Sequence, residues 1–234
     1  MKISVAGLTV EIKNRYDHVR VLAKDYLTES EHVDISVEAT DEELSAEAEV
    51  SEFPHSKGYL ESIVVYRKIA ERLPSFDAFV FHGAVLAMDG KAYAVTARSG
   101  VGKTTHIGIW QRVFGEKVHV LNGDKPIIRF IDGVPYACGT PWRGKENFGI
   151  PEMLPLSAIG FLERSVTPSA ELCSVEDAQM RLVSQIYIPN DPVNALRALG
   201  LADRTLRSVR LAKLFADMSD SAAEVAYRIF TEKG

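Results

Sequence analysis

The sequence predicts an α/β fold whose sheet mixes parallel and antiparallel strands. Residues 93–124 read in order as a strand, a glycine loop, a helix and a second strand, the unit that makes two strands parallel. Two Asp-Gly pairs, Asp89-Gly90 and Asp132-Gly133, each separate two apolar runs and predict tight antiparallel hairpins. Because both kinds of connection occur in one stretch of the chain, a purely parallel sheet is excluded.

The composition is that of an ordinary globular domain. The chain has 234 residues, of which 46% are hydrophobic and 25% charged, enough for one sizeable core with a small appended lobe. A net charge of -5 gives no basic footprint for nucleic acid. No apolar run approaches the ~20 residues that span a bilayer, and no signal peptide is recognisable. We therefore expect a cytoplasmic protein.

The first part of the chain, residues 1–74, predicts a small α/β lobe in front of a second unit, residues 75–234. Residues 41–52 are acidic and predict a solvated loop or a short helix, with a surface for a basic partner as the alternative. The clearest helix, over residues 56–73, is amphipathic and ends at Pro74. The other predicted elements of this lobe are a strand over 1–12 broken near Gly7, a helix over 16–27 and a strand over 32–39.

The second unit alternates short strands with helices. Gly115 is the predicted stop of the helix after the glycine loop, and Asp191 the predicted N-cap of a helix over 191–199. Ser221 and Glu224 predict a capping box that opens the last helix. The remaining predicted elements are strands over 78–88, 91–96, 118–121, 126–131, 134–138, 154–162 and 208–215, and a helix over 174–183.

The glycine loop, residues 99–105, has the sequence pattern of the part of a P-loop that contacts phosphate. Gly100 and Gly102 let the backbone approach a phosphate and turn its N–H groups, with the positive end of the following helix, toward the anion. Lys103 supplies a charge for the outer phosphates, and the Thr104 hydroxyl is suited to hold Mg²⁺. The predicted nucleotide-binding residues are Ser99, Gly100, Val101, Gly102, Lys103, Thr104 and Thr105.

Residues 139–147 predict a second functional loop, because two glycines, a proline and several charged groups exclude a regular element. Arg143 and Lys145 are cations suited to a phosphate or to a substrate carboxylate. We include Glu146 with them as a predicted substrate-binding residue. The alternative is a structural turn with solvated charges.

Three stretches together resemble HPr kinase/phosphorylase and ATP-dependent PEP carboxykinase: Phe81-His82-Gly83, the glycine loop, and Leu121-Asn122-Gly123-Asp124. The resemblance spans residues 78–150 and implies the P-loop core shared by these families. It also implies that His82 acts at a metal site or in acid/base chemistry, and that Asp124 is a general base or a metal ligand. The whole chain is also similar to small bacterial proteins related to these kinases.

The chain departs from these families in two places. Ala97 stands where the P-loop pattern has glycine, and Lys125 stands where the second of two aspartates follows the first. If Asp124 aligns with the first aspartate, it is the general base, and the carboxylate that binds the metal directly is missing. If the alignment is shifted by one residue, Asp124 is the metal ligand, and the general base is missing. The candidates for the unfilled role are Asn122, His82 and Glu146.

The leading hypothesis is an ATP-dependent kinase that uses ATP and Mg²⁺. Lys103, Asp124 and His82 are its predicted catalytic residues, with Thr104 and Asp124 at the metal. The acceptor is a hydroxyl of a serine on a peptide or small protein, or of a small metabolite. The alternative is a non-catalytic nucleotide-binding module that has lost one of the paired acids. A decarboxylating PEP carboxykinase is disfavoured because such enzymes are much longer. No nucleic-acid or membrane partner is expected, and the oligomeric state is left open.

Overall fold

The computed structural model describes residues 1–98 and 100–232, and there it has a mixed α/β fold. The predicted class, with parallel and antiparallel strands, is confirmed. None of the helices in this part of the chain is long and apolar enough to cross a bilayer. The strands are β1 (Lys2–Val5), β2 (Leu8–Ile12), β3 (Ile35–Val37), β4 (Ala78–Val80), β5 (Ala84–Met88), β6 (Lys91–Thr96), β7 (Val118–Asn122), β8 (Ile127–Ile131), β9 (Val134–Cys138), β10 (Met153–Arg164), β11 (Ser169–Leu172) and β12 (Arg210–Ala216). The helices are α1 (Asp17–Leu22), α2 (Asp41–Val50), α3 (Lys57–Arg72), α4 (Lys103–Phe114), α5 (Val175–Val183), α6 (Pro192–Ser208) and α7 (Ser221–Thr231).

The N-terminal strands form a separate small sheet of order β1-β2-β3. Ala6 and Gly7 have φ values of 52° and 69° and close the β1–β2 hairpin, which accounts for the predicted break near Gly7. β3 adds parallel to β2. The apolar cluster around this sheet continues into Val80 and Ile127 of the main sheet, and the domain boundary at residue 74 remains a prediction.

The acidic stretch forms a helix, α2. The Thr40 hydroxyl accepts from the Glu43 N–H, and the Glu43 carboxylate accepts from the Thr40 N–H at 2.8 Å, a capping box at the helix N-terminus. Lys68 of α3 pairs with Glu43 at 2.6 Å, which ties α2 to its neighbour. The helical alternative for this stretch is therefore confirmed.

β10 joins the two halves of the main sheet, whose order is β4-β8-β9-β10-β6-β5-β7, with β12 beside β10 and β11 beside β12. Its residues from Met153 to Pro155 pair antiparallel with β9. Farther on, the strand runs parallel to β6 and, from Ala158 to Arg164, to β12. The carboxyl ends of β6, β10 and β12 therefore meet at one edge, where open α/β sheets bind ligands.

The predicted strand–helix–strand unit is present as β6, α4 and β7, but its two strands are not neighbours. β5 lies between them and pairs antiparallel with both, so β6 and β7 run in the same direction. The hairpin at Asp89-Gly90, with φ values of 53° and 71°, folds β5 onto β6, and β7 pairs with the other edge of β5. The hairpin at Asp132-Gly133, with φ values of 49° and 83°, is also confirmed.

The predicted continuous strand over 78–88 is wrong, because the chain breaks at His82-Gly83 into β4 and β5. β4 pairs with β8, whereas β5 pairs with β6 and β7. The His82 N–H donates to the Gln185 carbonyl at 2.6 Å, and the Gly83 N–H donates to the Asp124 carbonyl at 3.0 Å. The interruption turns His82 toward the edge of the sheet where the glycine loop lies.

Two predictions for the C-terminal region need correction. The capping box of Ser221 and Glu224 is wrong, because Asp220 is the N-cap of α7 and the Ser221 hydroxyl bonds that of Ser219 at 2.8 Å. The helix predicted over 191–199 extends to the end of α6, since its later turns still bury apolar side chains. The edge strand β11 was not predicted, because it has only four residues, three of which are exposed.

A buried histidine lies under the glycine loop in α4. His106 is 2% exposed, accepts a hydrogen bond from the Trp110 indole at 3.0 Å, and leaves its Nδ1 without a partner. Burial lowers the pKa of His106 from its ordinary 6.5 to about 4. The folded protein therefore holds this imidazole neutral.

We expect acid to destabilise the protein partly through His106. Because its folded pKa lies below the unfolded value, the unfolded state takes up the extra proton. The contribution of His106 to the free energy of unfolding is fully present above about pH 6.5, and about 3 kcal/mol of it is lost as the pH falls to 4. In urea titrations across this range, His106→Gln should lose that part of the pH dependence, whereas the exposed-site control His55→Gln should keep it. Equal pH dependence in wild type and His106→Gln would contradict the assignment.

Candidate functional site

A cleft of about 620 Å³ lies where the glycine loop and the end of β7 face helices α1 and α3. The predicted loop of residues 139–147 is part of a longer loop, here called the 139–149 loop, which forms the remaining wall of the cleft. Ser99 lies outside the described residues, and Val101 lines a neighbouring cavity. The predicted site residues that line the cleft are His82, Gly100, Gly102, Lys103, Thr104, Thr105, Asp124, Arg143, Lys145 and Glu146.

The glycine loop has the backbone that an anion site requires. Gly100 and Gly102 have φ values of 79° and 121°, which side-chain-bearing residues rarely adopt. Gly102 is the N-cap of α4 and makes no side-chain capping bond, so the first N–H groups of the helix are left for a ligand. Ala97 is not among the residues with positive φ, and its side chain packs in the core, so glycine is not required there.

Two cations contact the glycine loop. The Lys103 ammonium is half-buried and donates to the Ala97 carbonyl at 3.2 Å. Burial lowers the pKa of Lys103, and the charge of Asp124 offsets part of that shift. Arg164, at the end of β10, donates to the carbonyls of Val101 (2.9 Å) and Gly100. Sequence reasoning missed Arg164, which is distant in the chain and belongs to no motif.

Asp124 and His82 lie side by side in the cleft. The His82 Nε2 lies 3.4 Å from the Asp124 Oδ1, and both side chains are partly exposed. Burial raises the pKa of Asp124, but the hydrogen bond to His82 and the charges of Lys125, His82 and Lys103 outweigh it and hold that pKa below its ordinary value. Asp124 is therefore an anion at neutral pH, beside a group able to give or take a proton.

The turn that carries Asp124 is built by Asn122, whose side chain is completely buried. The Asn122 Oδ1 accepts from the N–H groups of Asp124 (2.9 Å) and Lys125 (2.8 Å). Its Nδ2 donates to the Thr140 hydroxyl (3.0 Å) and to the Trp142 carbonyl (3.4 Å). Both ends of the amide are thus occupied, and Asn122 is not free to replace the missing acid.

The charged residues of the 139–149 loop have different surroundings. The guanidinium of Arg143 is 8% exposed, pairs with Asp25 at 3.0 Å and lies 5.4 Å above the Tyr26 ring, so it binds the loop to the segment that follows α1. Lys145 and Glu146 are exposed at the cleft. The Glu146 Oε1 accepts from the Thr104 hydroxyl at 3.4 Å, which brings a carboxylate to the glycine loop.

The oxygen donors of the cleft fit Mg²⁺. In the described residues there is no group of three or more His, Cys, Asp or Glu side chains that could enclose a metal. Thr104, Glu146 and Asp124 instead present one hydroxyl and two carboxylates to one cleft. Mg²⁺ is characteristically held by one or two carboxylates together with substrate phosphates, so this donor set suits it.

Helices α1 and α3 form the wall opposite the glycine loop. His18 and Leu22 of α1 and Tyr59 and Ile63 of α3 line the cleft there. The ring of Tyr59 contacts that of His18 edge-on, with centroids 6.0 Å apart. Sequence reasoning did not assign His18, Leu22 and Ile63 to the site, because nothing in their local pattern distinguishes them from other positions of the same helices.

Comparison with known proteins finds similarity to solved structures but no match to a family model or a curated protein. Among solved structures, the chain is similar to the Hpr(Ser) kinase/phosphatase from Coxiella burnetii, with 9% identity, a TM-score of 0.36, and coverage of 63% of this chain and 91% of that chain. This similarity carries no argument about activity, which has to come from the cleft itself.

We expect Asn122→Ala to destabilise the protein and to loosen the cleft. The substitution leaves buried N–H groups of Asp124 and Lys125 without an acceptor, at a cost of about 3 kcal/mol in the free energy of unfolding. Chemical denaturation measures this. Asn14→Ala, which removes one part-buried bond to the Tyr16 carbonyl, is the control and should cost no more than about 1 kcal/mol. Equal losses in the two variants would contradict the role given to Asn122.

Proposed function

We propose that the protein is an ATP-dependent phosphotransferase that moves the γ-phosphate of ATP to a hydroxyl acceptor. The observation that carries the proposal is the single cleft shared by Lys103 of the glycine loop and the Asp124–His82 pair. A phosphate site and an acid/base pair in one cleft are what phosphoryl transfer to a hydroxyl needs.

The phosphates of ATP bind at the glycine loop. The N–H groups at the start of α4 and the positive helix end face the anion, and the Lys103 ammonium neutralises the outer phosphates. Thr105, one residue past the metal-binding hydroxyl of Thr104, lies in the first turn of α4 and contributes to the same phosphate site.

Thr104 and Glu146 are the residues that would hold Mg²⁺ directly. Mg²⁺ bound there would neutralise charge that develops on the phosphates during transfer. Glu146 takes the carboxylate role that Lys125 leaves unfilled, because its Oε1 lies against the Thr104 hydroxyl. This leaves Asp124 and His82 to handle the proton.

The reaction forms one P–O bond and breaks another. The acceptor oxygen attacks the γ-phosphorus, the bond from that phosphorus to the β–γ bridging oxygen breaks, and ADP leaves. The proton of the acceptor hydroxyl passes to the Asp124–His82 pair. We propose that the acceptor is a serine of a peptide or small protein, or a small hydroxylated metabolite, and that the wall formed by His18 and Tyr59 meets it. The corresponding cellular setting is the cytoplasm.

A nucleotide-binding module without catalysis is the second candidate. The observation that favours it is Lys125, an exposed cation that stands directly after Asp124 in place of a second acid. In that case ATP occupancy would regulate a partner surface. Magnesium-dependent release of ADP from ATP argues for the enzyme, whereas tight ATP binding with no turnover against any acceptor argues for the module.

We expect Lys103→Ala to weaken the binding of ATP with Mg²⁺ by at least about tenfold, or about 1.4 kcal/mol, because a half-buried charge at the phosphates is removed. Isothermal titration calorimetry measures this. Lys91→Ala, which removes an exposed lysine at the far end of β6, should bind ATP as wild type does. No binding to wild type, or equal binding to wild type and Lys103→Ala, would overturn the proposed site.

We expect Glu146→Gln to raise the Mg²⁺ concentration needed for ATP binding by at least about tenfold, since a metal carboxylate becomes a neutral amide. Titration of Mg²⁺ into the protein with ATP present gives this value, and titration of ATP in EDTA should be the same for both proteins. Glu116→Gln, at the exposed opposite end of α4, is the matched control. An unchanged Mg²⁺ requirement in Glu146→Gln would remove Glu146 from the metal site.

A further inference from the structure

A second cavity, here called the side cavity, adjoins the cleft at the Asp124–His82 pair. It has a volume of about 340 Å³ and lies between α3 and the segment after α5. Three residues line both the cleft and the side cavity, namely Ile63, His82 and Lys125. Of the glycine-loop residues that the structure describes, none lines the side cavity. A molecule in the side cavity therefore lies beside the acid/base pair and outside the phosphate site.

Hydrogen bonds hold both walls of the side cavity in place. On one side, the His82 N–H donates to the Gln185 carbonyl at 2.6 Å, and the Tyr187 N–H donates to the Val80 carbonyl at 3.0 Å. On the other side, the Tyr187 hydroxyl donates to the Glu71 carboxylate of α3 at 2.5 Å. The segment after α5 is thus bonded to the sheet and to α3 at once, and the space between them is a fixed feature of the fold.

The hydrogen-bonding side chains around the side cavity are already bonded within the protein. The Tyr66 hydroxyl donates to the Lys125 carbonyl at 2.7 Å, and the Ser184 hydroxyl donates to a carbonyl of α5 at 2.8 Å. The Gln185 amide donates to the Ser184 carbonyl at 3.1 Å, and its Oε1 lies 3.0 Å from the His82 Nδ1. The remaining surface is mostly aliphatic: Ile63, Ala70, Val80 and Ile186. It suits an apolar body, whereas an extended peptide would bring backbone N–H and C=O groups that find few partners there.

The charge of the side cavity is positive. Among the described residues, no carboxylate lines it, and its two cations are Arg67 and Lys125. Arg67 is paired with Glu47 at 2.7 Å. The exposed ammonium of Lys125 makes no hydrogen bond or ion pair with the residues that the structure describes, and its charge acts on Asp124 at longer range. One ammonium is a compact point charge that matches one carboxylate, while a phosphate group is typically held by several donors.

We propose that the side cavity binds the acceptor, and that the acceptor is a small hydroxy acid with an apolar body. The body occupies the side cavity, the carboxylate pairs with Lys125, and the hydroxyl lies at the Asp124–His82 pair. The hydroxyl oxygen then takes the γ-phosphoryl group, its proton passes to that pair, and ADP leaves, so the product is the phosphate ester of the acid. This transfer rests on the proposed function, whereas binding of the acid does not. Lys125 thereby has a role of its own at the position where the paired acid is missing.

The first test measures binding without nucleotide. Phenyllactate, mandelate and hydroxyisocaproate are titrated in ligand-observed NMR experiments, each beside its methyl ester, with lactate as the acid that lacks a large apolar body. We expect the tightest of the three acids to bind at least about tenfold more tightly than its ester, which has lost the charge, and than lactate. Failure of all three acids to bind, or equal binding of acid and ester, overturns the proposal.

Variants locate the bound acid in the side cavity. Lys125→Met should weaken binding of the acid at least about tenfold, whereas Lys117→Met, which removes an exposed lysine before β7, should leave it unchanged. Ala70→Leu enlarges a side chain on the buried wall and should also weaken binding. Equal binding by wild type and Lys125→Met overturns the assignment. Should Ala70→Leu not fold, Lys125→Met and the comparison of acid with ester decide the question.

The second test measures transfer, with ATP and Mg²⁺ present and the phosphate ester detected by mass spectrometry. We expect the acid to raise the rate of ADP release and to be converted to its phosphate ester, and Lys125→Met to raise the KM for the acid at least about tenfold. Phosphorylation of a serine peptide with blocked ends in preference to the acid overturns the choice of a small acid. If the acid binds with the expected dependence on Lys125 but no ester forms, the proposed function fails and the binding site stands.

Discussion

The cleft depends on the buried side-chain amide of Asn122. With the oxygen accepting from the two residues that follow β7 and the nitrogen donating into the 139–149 loop, one side chain determines where Asp124 stands and where the loop leaves the sheet. A buried amide is costly unless all its groups are bonded, and here both ends are. Gly144 adds a steric constraint, since a Cβ there would lie 2.9 Å from the Asp124 Cβ. Hydrogen bonding and close packing together leave this carboxylate little freedom.

The second constraint is the break between β4 and β5. A continuous strand would place His82 in a regular ladder, but its N–H bonds instead to the segment after α5. The same segment supplies the oxygen that faces the imidazole. The sheet thereby presents a histidine at an irregular point, where backbone groups are satisfied from outside the ladder. Irregular, fully bonded backbone of this kind is a common way for a rigid sheet to orient a functional side chain.

The carboxylates of Asp124 and Asp25 each lie close to a positively charged side chain. Lys103 and Lys125 lie near Asp124, and together with His82 they keep that carboxylate ionised despite its burial. The charge of Arg143 is already matched by Asp25, so Arg143 stabilises the contact between its loop and the segment that follows α1. Arg164 bonds the loop carbonyls, which leaves the N–H side of the loop for an anion. An anionic ligand at the glycine loop would therefore add to a site already arranged for negative charge.

The sequence by itself determined the mixed α/β class, both Asp-Gly hairpins, the glycine loop before α4 and the candidates Lys103, Thr104 and Asp124. These are local properties, since φ preferences, apolar periodicity and loop composition act over a few residues. Only the tertiary structure decided that β5 separates β6 from β7, that Asn122 is structural, that Glu146 meets Thr104, and that Arg164 and Gln185 reach the site. Each of these depends on contacts between residues distant in the chain, which strand order and packing select and local patterns do not encode.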